Sequence, residues 1–400
     1  MVLKLKSFPY LGAVSVTYLA MMFEGALNVA IVAIMVMLSK YLDRDIAQIS
    51  LLVSAKGLGT MLTLYTSGRL SDRYGRKRII LIGAISFTAF LIGLLLSSNY
   101  MFALLFAFLA GVGHGLMDAP ALSLLFDAFP GNTGPAMSIV QIFFAGGGVL
   151  TTLFASFLIA NNLPWQHLFY VYLVAIALLM FLIAKANFPV RDKSSKIKRK
   201  TIVFDELPQI KKEGVLLGIS VLLFAVAQAI MMTWLPTYAA SIKGLTDYNA
   251  VRLLTSFQVG AVSGAFVFAW ILRKTHTTTL MVINPLIAGL MMVGVLITTN
   301  VTLLFAFVFV YGFMMGVYFS LCINMGGELF YAQAGSATGA VGTLNMVGNT
   351  VMVALSGRIL NLFGISSLFY FSIIALFALV AVAIIFRKKY LRLNPRIEVI

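Results

Sequence analysis

The side chains with most chemistry to offer are Glu24, Lys56, His114 and Asp118, each set within a long apolar run of this 400-residue sequence. On insertion scales such an ionisable group costs about 2.5–3.5 kcal/mol, so each needs a reason to be there. A carboxyl group taken out of water holds its proton more readily, and a nearby cation opposes that effect. Glu24 or Asp118, with His114 one helical turn from Asp118, is therefore expected to take up and release a proton. Lys56 admits two readings. Paired with Glu24, it would fix helix packing with little net stabilisation and leave a site for neutral polyols. Facing a cavity, it would favour an anionic solute such as a carboxylate or sugar acid. At 1.5 Å per residue, Glu24 lies about 20 Å and Lys56 about 16 Å from the start of its run, near the middle of a bilayer.

Amides on other apolar runs could hydrogen-bond hydroxyl groups: Asn28, Gln141, Gln228, Gln258, Asn324, Asn345 and Asn349. Singly, each could as well bond a neighbouring helix for about 0.6 kcal/mol. Trp234 and Tyr238 could stack on a sugar face or belong to an interfacial aromatic belt. Lys56, Trp234 and the seven amides form the expected solute-binding set. No nucleophile–base set, phosphate-binding loop or metal-ligand cluster is evident, so no catalysis, metal or cofactor is expected, and ATP is not the energy source.

The elements that must position these groups follow from composition. With 61% apolar residues, 10% charged residues and a mean hydropathy of +0.99, the chain lacks the polar surface a soluble globule needs. The net charge of +16 sits in short loops and tails, which encodes topology and not nucleic-acid binding. Cys322 is the single cysteine, so no intrachain disulfide is expected, and neither is a cleavable signal peptide. Twelve runs are long enough to span a bilayer: 11–40, 46–67, 78–97, 101–128, 135–160, 166–187, 215–242, 249–272, 279–298, 301–328, 336–361 and 366–386. Of the 29 Lys and Arg, only Lys40, Arg44, Lys243 and Arg252 fall in loops opposite the termini, so both termini are expected to be cytoplasmic. A six-helix bundle is expected over 1–188, a cytoplasmic linker over 189–214 with a short interfacial helix near Val203–Ile210, and a second bundle with a basic tail over 215–400.

Between the second and third runs the sequence reads Gly68-Arg69-Leu70-Ser71-Asp72-Arg73-Tyr74-Gly75-Arg76-Lys77-Arg78. This fills the pattern G-x-L-x-D-R-x-G-R-K/R and resembles the signature loop of the major facilitator superfamily. The resemblance implies an all-α membrane protein with twelve transmembrane helices in two pseudo-symmetric six-helix bundles. It also implies a secondary transporter working by alternating access on a small-molecule solute, multi-pass in the cell membrane, with the lipid bilayer as its partner; a monomer is expected. The halves echo each other: Asp127, Phe129 and Gly134 recur as Glu328, Phe330 and Gly335. Gly68, Asp72, Arg73, Gly75, Arg76 and Asp127 are the expected gating set. Asp72 would cap the third helix or face the eleventh near Ser336, and Arg73 would pair with Asp127.

A narrower resemblance runs from Gly113 through Asp118 to Asp127, with Phe143–Gly148 and Trp234-Leu-Pro236-Thr-Tyr238. These segments are similar to the fucose and glucose proton-symporter branch, in which a helix-one acid carries the proton and a helix-four acid engages the sugar. Those roles would fall on Glu24 and Asp118. The chain departs from the branch at Gln228, often a glutamate there, and at Lys56. The expectation is proton-coupled symport of a small polar solute, sugar-like or carboxylated. The alternative is a proton-driven efflux antiporter of amphipathic compounds; its Gly-Pro pattern in helix five is incomplete here, since Gly146-Gly147-Gly148 has no proline.

Overall fold

The computed structural model describes residues 10–128, 133–188, 200–203, 209–272, 274–330, 334–393 and 396–399, and at some of these, Asp72 and Asp127 among them, the backbone alone. Among the described residues, twelve helices are long and apolar enough to cross a membrane, one for each predicted run. The chain divides into two compact units, Met1–Ile197 and Lys198–Ile400.

The first unit holds α1 (Leu11–Ala33), α2 (Met35–Leu42), α3 (Ile46–Tyr74), α4 (Arg76–Leu96), α5 (Tyr100–Ala128), α6 (Thr133–Ala160) and α7 (Gln166–Lys185). Local signals set several ends. Asp45 and Gln48 form a reciprocal capping box at the start of α3, with Gln48 N donating to Asp45 Oδ1 at 2.6 Å. Two findings depart from the sequence reading. The first predicted run is two helices, broken at Ile34 (φ −115°, ψ 19°). The basic motif is also helical as far as Tyr74, so it is no loop; Gly75, at φ +91°, makes the whole turn into α4. A positive φ is strained for any residue with a Cβ, so glycine is the natural choice there. Lys77, from the same motif, donates to Ala184 O at 2.5 Å and Ala186 O at 3.2 Å, satisfying carbonyls at the C-terminal end of α7.

Close backbone approach organises this unit. A Cβ on Gly147 of α6 would stand 1.8 Å from Met22 O of α1, and one on Gly111 of α5 would stand 1.8 Å from Lys56 O of α3. Small residues at such crossings let helices touch backbone to backbone. The α3–α5 contact is also pinned by Thr60 Oγ1 donating to Gly111 O at 3.1 Å.

The second unit holds β1 (Lys200–Val203), a π-turn (Ile210–Gly214), α8 (Val215–Ser241), α9 (Asp247–Ile271), α10 (Thr277–Ile297), α11 (Val301–Met315), α12 (Tyr318–Leu329), α13 (Ala334–Phe363), α14 (Ile365–Arg392) and β2 (Arg396–Val399). The tenth predicted run is broken between α11 and α12 near Gly316. Asn284, fully buried on α10, donates to Met314 O at 2.9 Å beside this break. β1 and β2 pair antiparallel, Lys200 opposite Val399, adding one short ribbon to an otherwise helical fold. Residues 189–199 and 204–208 of the expected linker, and with them most of the expected interfacial helix, lie outside the described residues.

Trp234 is fully buried, and its indole N–H donates to Ser356 Oγ at 2.8 Å, tying α8 to α13. Ser356→Ala strands that N–H without an acceptor and is expected to cost about 1 kcal/mol. The readout is a lower thermal midpoint in detergent; an unchanged midpoint would show that the bond contributes nothing.

Candidate functional site

Three helices of the first unit bring the four ionisable residues together. Glu24, Leu27 and Asn28 follow one another along a face of α1, Lys56 lies midway along α3, and His114 and Asp118 are one turn apart on α5. Glu24 is 0% exposed and Lys56 and His114 6% each, whereas Asn28 and Asp118 are half-buried.

The Lys56 ammonium donates to Leu27 O at 3.2 Å and to Asn28 Oδ1 at 3.1 Å. It makes no ion pair within 4 Å among the described residues. Glu24 and Lys56 nonetheless feel each other electrostatically, and Asp118 also acts on Glu24. Both Glu24 carboxyl oxygens are buried without a hydrogen-bond partner. The nearest cationic candidate is His114 Nδ1, 3.8 Å from Glu24 Oε2, while the His114 ring lies edge-on to Phe144. A buried carboxyl group with no donors beside it is costly to leave charged and has room to exchange a proton. Gln141 lies half-buried on α6, the helix that carries Phe144.

The amides of the second unit are dispersed. Gln228 on α8 and Asn345 on α13 are half-buried, each with a buried side-chain oxygen that has no partner; Gln258 on α9 is buried, Asn349 is half-buried and Asn324 on α12 is exposed. Trp234 is fully buried and bonded to Ser356, so in this conformation it presents no face to a solute. Tyr238 is buried too, its ring 4.2 Å from that of Phe369. Both are packing residues here and lie in no exposed aromatic belt.

Of the expected gating residues, Gly68 sits in α3 with open space beside it, Arg73 is exposed with its guanidinium over the Tyr74 ring, and Arg76 opens α4 half-buried. The Arg73–Asp127 and Asp72–Ser336 contacts lie outside the described side chains.

The sequence reading missed three features. Asn284 was signalled only by an Asn-Pro step inside an apolar run. The Leu27 carbonyl that holds Lys56 leaves no sequence signal, because every residue has a carbonyl. In the second unit, Glu328 accepts a hydrogen bond from Tyr390 OH, and the His276 ring lies 5.0 Å from that of Tyr390. The repeat marks Glu328 but not its partner.

Among the described residues, twelve helices long and apolar enough to cross a membrane, with ionisable groups buried midway along three helices of the first unit, define a multi-pass membrane protein. The chain belongs to the Major Facilitator Superfamily, whose family profile matches residues 14–330. It is 30% identical over 361 residues to the uncharacterized MFS-type transporter YfkL of Bacillus subtilis (strain 168), covering 88% of this chain and 90% of that protein. It is 24% identical over 393 residues to the inner membrane transport protein YdiN of Escherichia coli (strain K12), covering 96% and 92%. Its fold is similar to the crystal structure of a D-xylose-proton symporter, with a TM-score of 0.76, 15% identity, and 94% and 96% of the two chains covered. Membership of this family makes the protein a transporter, not an enzyme.

Proposed function

We propose that the protein is a proton-coupled symporter of a small polar solute, sugar-like or carboxylated, working by alternating access with both termini in the cytoplasm. Its halves are residues 1–188 and 215–400, joined by the 189–214 linker, and it acts as a monomer. The observation that carries this reading is Glu24: fully buried, both carboxyl oxygens without a partner, and under the influence of Asp118 and Lys56. The printed activity of the D-xylose-proton symporter, whose fold is similar, agrees with it. Glu24 carries the proton, aided by Asp118 and His114. Lys56 and Asn28, with Gln141 and the amides at Gln228, Gln258, Asn324, Asn345 and Asn349, contact the solute. Asp72, Arg73 and Asp127, with Gly68, Gly75 and Arg76, form the cytoplasmic latch.

Proteoliposomes holding a pH-sensitive dye test this directly. Adding one of a panel of neutral sugars and hydroxy acids outside is expected to acidify the lumen with one chemical class. Acid loading by none of them, together with dye efflux driven by an imposed proton gradient, would replace symport with the antiport reading.

A further inference from the structure

We infer that the solute is a hydroxylated monocarboxylate, and that its carboxylate competes with Glu24 for the ammonium of Lys56, so that the anion binds only when Glu24 holds a proton. This rests on the symport reading above and adds to it the class of solute and the origin of the coupling.

The argument starts from what the ammonium lacks. Lys56 is buried on α3, and both of its acceptors, Leu27 O and Asn28 Oδ1, are neutral groups on α1. Dipoles satisfy two of its three N–H groups and cancel none of its charge. A buried cation without a counter-anion is unfavourable, which leaves the third N–H seeking one. Among the described residues the one acid that acts on it is Glu24, a single turn from Asn28 along α1, yet no oxygen of Glu24 accepts a hydrogen bond. The ammonium thus feels a carboxyl group, one turn along α1 from its acceptor Asn28, that it does not hold.

Two anions can accept from the remaining N–H, Glu24 itself or a carboxylate from solution. They exclude each other, because a single N–H remains and because two carboxylates at one point repel. Ionised Glu24 takes the ammonium and shuts the site; protonated Glu24 releases it to a solute anion. The other groups facing Glu24 do not supply a substitute cation at bonding distance. His114 Nδ1 stands 3.8 Å away, Asp118 adds a like charge, α6 brings Phe144, and Tyr172 of α7 is bonded to Thr151 at 2.6 Å. With its oxygen on Lys56, half-buried Asn28 has its NH2 group left to donate to a hydroxyl or carboxylate oxygen. One proton and one monoanion cross together, and no net charge moves.

The experiment measures gluconate and D-glucose binding to the purified full-length protein by calorimetry from about pH 5.5 to about pH 8, expecting gluconate affinity to fall about tenfold per pH unit above the Glu24 transition. Glu24→Gln should bind gluconate with no such slope. Lys56→Met should weaken gluconate at least about 30-fold. Because that variant leaves Glu24 without its cation, Glu24→Gln/Lys56→Met serves as the electrically balanced control and should show the same loss. A wild-type affinity independent of pH, a slope that survives in Glu24→Gln, or gluconate binding that survives in the double variant would overturn the inference. Proton entry driven by D-glucose with no gluconate binding would overturn it while leaving symport intact. Lys56-dependent, pH-linked gluconate binding without proton entry into proteoliposomes would uphold the anion site and overturn symport.

Discussion

Glu24→Gln is expected to reduce solute-driven proton entry into proteoliposomes to the rate of protein-free vesicles while leaving the protein folded. Gln is close to isosteric with a protonated glutamate, so the packing of α1 against α5 and α6 is kept, and the Lys56 ammonium keeps its two neutral acceptors. Both carboxyl oxygens of Glu24 lack a hydrogen-bond donor, so the substitution breaks no bond that the structure contains. What it removes is the ability to exchange a proton. If coupling resides at Asp118 or His114 instead, proton entry will persist in this variant and vanish in Asp118→Asn or His114→Gln. Solute counterflow, which needs no net proton movement, separates a loss of coupling from a loss of binding and should continue in Glu24→Gln.

A large loss of stability is expected from Gly147→Ala, and its neighbour provides the control. A Cβ at Gly147 would lie 1.8 Å from Met22 O and 2.8 Å from Ala26 N, far inside ordinary contact, and both atoms are backbone. Backbone cannot rotate away as a side chain does, so α1 and α6 must part. Overpacking of this kind costs typically about 1–3 kcal/mol, and this crossing belongs at or above the top of that range. Gly146 has nothing within 4 Å of the same added atom. Gly146→Ala should therefore gain about 0.5–1 kcal/mol from helix propensity alone. Thermal midpoints of the two variants in one detergent should move in opposite directions, and a shared direction would show that close approach does not govern this contact.

The twelve spans were legible because the demand for about 20 apolar residues per crossing leaves a signal that no side-chain detail can hide. Glu24, Lys56 and Asp118 were legible for the converse reason, that charge inside such a run is conspicuous. What the sequence concealed were relations between residues distant along the chain. Trp234 reads as an aromatic near a helix end until Ser356, 122 positions away, takes its N–H. Lys56 reads either as a partner of Glu24 or as a cavity cation, and the sequence does not show that the Leu27 carbonyl and Asn28 hold it. The break at Ile34 has neither proline nor glycine to announce it. The motif was recognised as a sequence and mistaken as a shape: its glycines suggest a loop, yet Gly68 is accommodated within α3 and Gly75 alone turns the chain.

That continuous α3 has a mechanical meaning. Lys56 and Arg73 stand on one unbroken rod, separated by 17 residues or about 25 Å of helix. A loop would absorb a small tilt at Lys56 within its own torsions. A stiff arm cannot: a tilt of α3 about Lys56 by ten degrees, on the order of 0.17 radian, sweeps the basic end through about 4 Å on this helical rise, enough to make or break a hydrogen bond. Lys56, where we infer that the solute anion binds, and the basic motif are thus two ends of the same lever.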